Sequence, residues 1–140
     1  MSPKKKSKQF KIKNVLPEVS IEKSRVLDED YPIFCFKYLS DVSIKDYKKS
    51  DFFIEFLLRL KKLSELGWKE IRTSHRHSYG MEKIPIDKIH PQLPHCITPE
   101  VKHLHAFRAT GNNLPFVGLE MQKVFRVFFI ETNFGDIYNH

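Results

Sequence analysis

The side chains in this sequence best suited to phosphate chemistry are concentrated in the stretch RTSHRHSYG, at residues 72–80, and in the C-terminal third. Imidazoles serve as acid or base near neutral pH, and arginine forks match phosphate oxygens. Cleavage of RNA without a metal needs a base for the 2′-hydroxyl, an acid for the leaving 5′-oxygen and cations for the phosphate. The candidate catalytic residues for this chemistry are His75, His77, Arg108, Arg126, Tyr138 and His140.

A metal site is an alternative, because the sequence contains two His-x-His pairs, at residues 75–77 and 103–105. On a strand, residues i and i+2 point to the same side, so both imidazoles of a pair could bind one ion. His95 and Cys96 are nearby candidates for further ligands. No Cys-x-x-Cys or His-Glu-x-x-His spacing occurs, and nothing in the sequence brings the two pairs together. The prediction is therefore a site with no metal and no cofactor.

Two other kinds of chemistry have little support. Cys96 follows His95 directly, but side chains of sequence neighbours rarely face each other productively, and no Gly-x-Ser-x-Gly motif occurs. The five glycines are scattered singly, so no glycine-rich loop could hold a nucleotide phosphate.

Strand periodicity constrains which of these groups can act together. Arg108 and His105 are three residues apart in the predicted strand LHAFRA, which places them on opposite faces of a regular strand. Arg126 lies within the apolar run VFRVFFIE, where a buried arginine is costly unless it is paired. We therefore expect Arg126 either to pair with an acid such as Glu120 or to face a functional groove.

Most of the net positive charge belongs to an N-terminal tail. The formal charge is +7, but residues 1–13 hold six lysines and no acid, so the remainder is nearly neutral, with 18 basic and 17 acidic side chains. Such a tail can neutralise phosphates, or it can be a solubilising end. The residues expected to contact nucleic acid are Lys4, Lys5, Lys6 and Lys8 of the tail together with Arg76.

Composition favours a globular protein of the cytoplasm. Hydrophobic residues make up 41% of the 140 residues, and no apolar run approaches the ~18 residues needed to span a bilayer. The N-terminal lysines are not followed by the apolar segment of a signal peptide. Two cysteines far apart, Cys35 and Cys96, favour a reducing compartment and no disulfide framework.

The predicted elements indicate an α+β fold, with one amphipathic helix packed on a twisted antiparallel sheet. Residues 1–30 are interpreted as a basic tail and irregular lead-in, and residues 31–140 as a single domain. A strand at 33–39 precedes the helix, for which Ser50 or Asp51 is the expected cap and Gly67 the terminator. The helix face is predicted to comprise Phe53, Phe56, Leu57, Leu60 and Leu63.

A long Pro/His-rich loop is expected between about residues 72 and 102, because it contains four prolines and four of the seven histidines. Within it, EKIPIDKI could form a short edge strand ending near Pro85 or a helical turn from Asp87. A C-terminal β-meander follows, with a tight connection at MQK. In its strand Val124–Glu131, regular alternation places Phe125, Val127, Phe129 and Glu131 on one face.

The C-terminal third, HAFRATGNNLPFVGLEMQKVFRVFFIETNFGDIYNH, resembles small bacterial toxins related to the RelE-type ribosome-dependent ribonucleases. The matching features are Arg108 on a strand, the turn at 111–113, the apolar strand 124–131, and Tyr138 with His140 near the end. The predicted helix matches more loosely. The resemblance implies a sheet preceded by a helix, an RNA or ribosome substrate, and a protein antitoxin as partner.

Two hypotheses for the function follow. The first is a toxin-like endoribonuclease that cleaves RNA by metal-free His/Arg acid–base chemistry. The second is a non-enzymatic module, of phage or mobile-element origin, that binds nucleic acid or a protein.

Overall fold

A computed structural model of the protein describes residues 30–76, 78–110 and 113–140. The lysine tail, with Lys4, Lys5, Lys6 and Lys8, lies outside the described residues, and so does His77. In chain order the elements are β1 (Ile33–Cys35), α1 (Ser50–Leu66), α2 (Trp68–Thr73), β2 (Glu82–Pro85), a 3-10 turn (Ile86–Lys88), β3 (His103–Arg108), β4 (Pro115–Met121) and β5 (Val124–Ile130).

The five strands form one sheet in the order β1-β5-β4-β3-β2. The pairs from β2 through β5 are antiparallel, as the predicted meander requires, but β1 runs parallel to β5. The α+β class is confirmed, whereas the purely antiparallel sheet is wrong at this edge. The reason is topological: about ninety residues separate β1 from β5, and so long a connection lets the two strands run in the same direction, which a tight hairpin would not.

Helix α1 has the predicted extent but not the predicted start. Lys49 is the N-cap residue, and no side chain caps the helix, because Ser50 and Asp51 already lie in the first turn. The end is as expected: Gly67 has φ 86°, a conformation that glycine adopts without steric cost, and its N–H donates to the carbonyl of Leu63.

The apolar face of α1 is rotated relative to the prediction. Phe52, Phe56 and Leu63 are the buried residues, while Leu57 is 65% exposed. Phe52 and Phe56 are four residues apart, and Phe56 and Leu63 seven apart, so the three share one stripe. Trp68 of α2 is buried in the same core as this stripe, and its indole N–H donates to the carbonyl of Lys123 at 3.1 Å.

Both faces of the sheet are covered by separate apolar cores. The helix face packs residues such as Phe107, Phe116 and Phe125 against α1 and α2. The second face packs Leu104 and Phe128, among others, beneath the irregular segment 86–101 and the C-terminal residues 137–138. Strand β5 is therefore apolar on both sides because it pairs with two strands and is buried on two faces.

The segment predicted as one long loop is more structured at its N-terminal end than expected. Both alternatives considered for EKIPIDKI occur, since β2 ends at Pro85 and the 3-10 turn follows directly. Beyond that turn, residues 89–102 make bends, turns and one isolated bridge, between Ile89 and Tyr138. Several of their apolar side chains are partly buried against the second core: Ile89, Leu93, Ile97 and Val101.

A β-bulge interrupts the predicted alternation in β5. Val117 opposes Phe129 and Gly118 opposes Val127, so Phe128 is an extra residue. Phe128 and Phe129 both belong to the second core, and Ile130 returns to the helix face. The regular alternation predicted through Glu131 is therefore wrong beyond Val127.

Gly118 is required at this bulge by close packing of the backbone. A Cβ atom there would lie 1.9 Å from the carbonyl oxygen of Arg126. Gly118→Ala is expected to lower the free energy of unfolding by about 3 kcal/mol, because two hydrogen-bonded strands would have to separate locally. Urea unfolding followed by circular dichroism measures this loss.

The matched control is Gly135→Ala. Gly135 has φ 94° but nothing lies within 4 Å of its Cβ position, so only conformational strain of about 1–2 kcal/mol is expected there. Equal losses in the two variants would contradict the steric explanation for Gly118.

Among the described residues, no helix is both long and apolar enough to cross a lipid bilayer.

Candidate active site

A cavity of about 470 Å³ lies where β2, the end of β3 and the C-terminal residues meet. Its walls combine cations with aromatic rings and one acidic side chain. Such a mixture suits an anionic ligand that also carries flat apolar groups. The charged and aromatic lining residues are Arg76, Glu82, Lys83, Lys88, Phe107, Arg108, Phe134, Tyr138 and His140.

Four residues predicted from the sequence line this cavity together: Arg76, Arg108, Tyr138 and His140. Arg108 reaches it at the end of β3, because it shares a strand face with Ala106, which also lines the cavity. Tyr138 is brought there by its bridge to Ile89.

The imidazole of His140 is held by a buried carboxylate. Its Nε2 lies 2.6 Å from Oε1 of Glu131, whose side chain is fully buried. The other oxygen, Oε2, accepts the backbone N–H of Ile137 at 3.0 Å. Because a carboxylate only accepts hydrogen bonds, His140 donates from Nε2, which leaves Nδ1 as the imidazole nitrogen with a lone pair that can accept a proton.

Two aromatic rings fix the plane of the same imidazole. The ring centroid of Phe134 lies 3.9 Å from that of His140, and the Tyr138 centroid lies 4.3 Å from it, with interplanar angles of 23° and 29°. Two rings stacked so closely on one imidazole must occupy its opposite faces. The His140 ring is therefore fixed in plane by stacking and in rotation by Glu131.

The hydroxyl of Tyr138 remains protonated at neutral pH. Burial raises its pKa well above the ordinary value, and the nearby carboxylates of Glu82 and Glu131 raise it further. The Tyr138 side chain is therefore a hydrogen-bond donor in the cavity rather than a base.

The C-terminal segment that carries these rings is tied to residues 89–90. The N–H of His90 donates to the carbonyl of Ile137 at 2.7 Å, and its Nε2 lies 3.1 Å from Oδ1 of Asn139. These bonds lie on either side of Tyr138 in the chain. Segment 86–102 thus forms part of the scaffold of the cavity.

Arg76 is oriented by an acidic residue of the neighbouring strand. Its Nη1 lies 3.1 Å from Oε2 of Glu82, and both side chains are about half exposed. A pair this exposed contributes little to stability, so an incoming phosphate can compete for the guanidinium.

Arg126 and His75 are not brought into this cavity. Arg126 opposes Leu119, whereas Arg108 opposes Pro115, which separates them by about 13 Å along the strands in addition to the strand spacing. Of the two alternatives for Arg126, the pairing with Glu120 is wrong, because Glu120 opposes Phe125 and binds Arg72 at 3.4 Å. Arg126 instead lies over the ring of Tyr38, with its centre 6.0 Å from the ring centroid.

The His105 side chain shares a strand face with Phe107 and does not line the cavity. Burial lowers its pKa below 6.5, and the neighbouring Lys83 lowers it further, so the imidazole is neutral at neutral pH. In the described part of the chain, no three His, Cys, Asp or Glu side chains are grouped so that they could hold a metal ion. His77, one member of the His-x-His pairs, falls outside that part.

Three residues of the site are not among those predicted from the sequence: Glu82, Glu131 and Phe134. Glu82 could have been found from the sequence. It is an acidic residue in a possible edge strand, close in the chain to Arg76, and so a candidate ion-pair partner for that arginine. Regular alternation predicts Glu131 on the opposite face, because the bulge at Phe128 that reverses its side is not visible in the sequence. Phe134 follows the last strand in a turn, and no pattern in the sequence distinguishes it from the other eleven phenylalanines.

Comparisons with protein-family models, with curated proteins and with solved structures find no match for this chain.

Proposed function

We propose that this protein is a ribonuclease that cleaves RNA by metal-free acid–base chemistry in the cavity between β2, β3 and the C-terminal residues. The observation that carries the proposal is His140. Its imidazole lines a cation-rich cavity and is oriented by the buried Glu131 carboxylate. An imidazole whose second nitrogen is held by a carboxylate is the arrangement that makes a general base effective.

The roles of the side chains follow from their positions. Nδ1 of His140 takes the proton of the 2′-hydroxyl, whose oxygen then attacks the phosphorus. The protonated Tyr138 hydroxyl donates to the leaving 5′-oxygen as its bond to phosphorus breaks. Arg108, with Arg76 released from Glu82, neutralises the charge that develops on the phosphate oxygens. The products are a 2′,3′-cyclic phosphate and a free 5′-hydroxyl.

The biological setting proposed is that of a toxin. The resemblance of the C-terminal third to RelE-type ribonucleases motivates it, and the cavity holds Arg108, Tyr138 and His140 of that resemblance. Ribosome-bound messenger RNA would then be a substrate, and a protein antitoxin would be the partner that restrains the enzyme in the cytoplasm.

The test is cleavage of a labelled single-stranded RNA, with and without ribosomes and in the presence of EDTA. The wild type is expected to produce ends with 2′,3′-cyclic phosphate, and EDTA should not inhibit it. Arg108→Ala should lower kcat/KM by about 100-fold or more, because one charged donor to the transition state is lost. Arg72→Ala is the matched control, since it removes an arginine that binds Glu120 outside the cavity.

Other outcomes would redirect the proposal. Inhibition by EDTA that zinc or manganese reverses would favour a metal-dependent enzyme. Absence of cleavage under all these conditions would favour a non-enzymatic binding module. The exposed apolar side chains of α1 would then be the first to mutate: Ile54, Leu57 and Leu58.

A further inference from the structure

We infer that Phe134 is a stacking subsite for a nucleobase next to the scissile phosphate, so that the substrate is unpaired RNA. This inference rests on the proposed function for its setting, but it concerns binding and is tested separately from cleavage. It assigns a role to Phe134, a lining residue of the cavity whose aromatic side chain is largely exposed.

One face of the Phe134 ring is occupied and the other is accessible. The inner face stacks on His140, which in turn stacks on Tyr138. The side chain is nevertheless 58% exposed, although it touches the cavity wall. A three-ring column therefore ends in an uncovered aromatic face, and a flat apolar group placed there would extend the column.

The backbone holds Phe134 in this position. Residues 133–136 form a turn in which the N–H of Asp136 donates to the carbonyl of Asn133 at 3.0 Å. The Asn133 side-chain amide also donates to the Asp136 carboxylate at 3.3 Å. Phe134 lies inside this turn, so its exposure is built into the chain rather than a consequence of a loose terminus.

The chemistry around the ring selects a nucleobase over other flat groups. The same cavity contains Arg76, Lys83, Lys88 and Arg108, and these cations attract a phosphate chain. A ligand with phosphates along one side and aromatic rings along the other satisfies both features. In a duplex the bases are already stacked and paired, so only an unpaired base can reach Phe134.

A merely structural role for Phe134 would be to support His140. The two roles predict different measurements. Support for the imidazole affects kcat, whereas stacking affects binding and depends on the presence of one particular base. A test on binding alone, with a base removed, therefore distinguishes them.

The experiment measures binding of a fluorescent single-stranded RNA whose 2′-hydroxyls are methylated, so that it cannot be cleaved. A series of the same oligonucleotide carries one abasic site at each position in turn. Proteins compared are the wild type, Phe134→Leu and Phe134→Trp. Leucine keeps an apolar contact for His140 but has no ring face, and tryptophan restores one.

The expected result is that Phe134→Leu weakens binding by about 10- to 100-fold and that Phe134→Trp does not. One abasic position should weaken binding to the wild type by a similar factor. At that position Phe134→Leu should cause no further loss, because the stacking contact is already absent. A fully paired version of the RNA should bind the wild type and Phe134→Leu equally weakly.

The inference is overturned if Phe134→Leu binds every oligonucleotide as the wild type does, or if its loss is the same at all abasic positions. It is also overturned if wild type does not bind the uncleavable RNA. Base-dependent binding without any cleavage would retain the subsite and reject the nuclease. If the protein cleaves RNA but Phe134→Leu does not change binding, the nuclease is retained and the stacking subsite is rejected.

Discussion

Replacing His140 by glutamine is expected to lower the rate of RNA cleavage by about 1,000-fold while the protein stays folded. Glutamine can still donate a hydrogen bond to Glu131, but it cannot take the proton of a 2′-hydroxyl. Because RNA should still contact the cations of the cavity, most of the loss should be in kcat rather than in KM. Single-turnover cleavage together with a thermal melt measures both quantities.

The matched control for this prediction is His90→Gln. The His90 imidazole also bonds a C-terminal side chain, at 3.1 Å from Oδ1 of Asn139, but it does not line the cavity. Its loss should change cleavage by less than about tenfold, as expected for an indirect contact. A His140→Gln enzyme that keeps a tenth of wild-type kcat would show that another group is the base.

Replacing Glu131 by glutamine is expected to lower kcat by about 100- to 10,000-fold with little change in KM. The glutamine carbonyl would accept the Ile137 N–H, as Oε2 does now, which turns the amide NH₂ toward His140. Nε2 of His140 would then have to accept, so its hydrogen would move to Nδ1. An imidazole with Nδ1 protonated cannot act as the base at the substrate.

The control for Glu131→Gln is Glu120→Gln, which removes a carboxylate that binds Arg72 away from the cavity. The tautomer itself can be read from the nitrogen shifts of ¹⁵N-labelled His140 by NMR. Unchanged shifts with unchanged kcat would reject the orienting role of Glu131. Loss of kcat with the tautomer unchanged would indicate that the negative charge matters instead.

The sequence was sufficient for the elements whose signals are local. Helix α1 could be predicted because its apolar residues recur at helical spacing and Gly67 ends it. The tight connection before β5 was also predicted, and Gln122 and Lys123 adopt positive φ there, at 54° and 68°. These features depend on residues within one turn of each other.

The predictions that are wrong concern features that depend on contacts between segments distant in the chain. The parallel pairing of β1 with β5 joins residues about ninety positions apart, and no local pattern in β1 distinguishes it from an antiparallel edge. Leu57 is wrongly predicted for the same reason. It has helical spacing, but it is exposed because the sheet packs against the stripe formed by Phe52, Phe56 and Leu63.

The site was partly predictable for a chemical reason. Arg108, Tyr138 and His140 were identified because their side chains suit phosphate chemistry. Arg126 and His75 suit it equally well by type, yet they lie elsewhere. Residue type therefore shows which side chains suit phosphate chemistry, whereas the register of the sheet determines that Arg108 lines the cavity and Arg126 does not.

The extra residue Phe128 in β5 has a consequence for how such a protein can change over evolutionary time. Without it, alternation would place Glu131 on the same side as Phe125 and Val127, beneath the helices. With it, the carboxylate comes to the side where His140 lies. Insertion or deletion of one codon in this strand would then create or remove the carboxylate contact that orients His140. Every side chain that lines the cavity would be unchanged. Descendants of one ancestor could thus differ in activity through a change in length that no comparison of active-site residues would reveal.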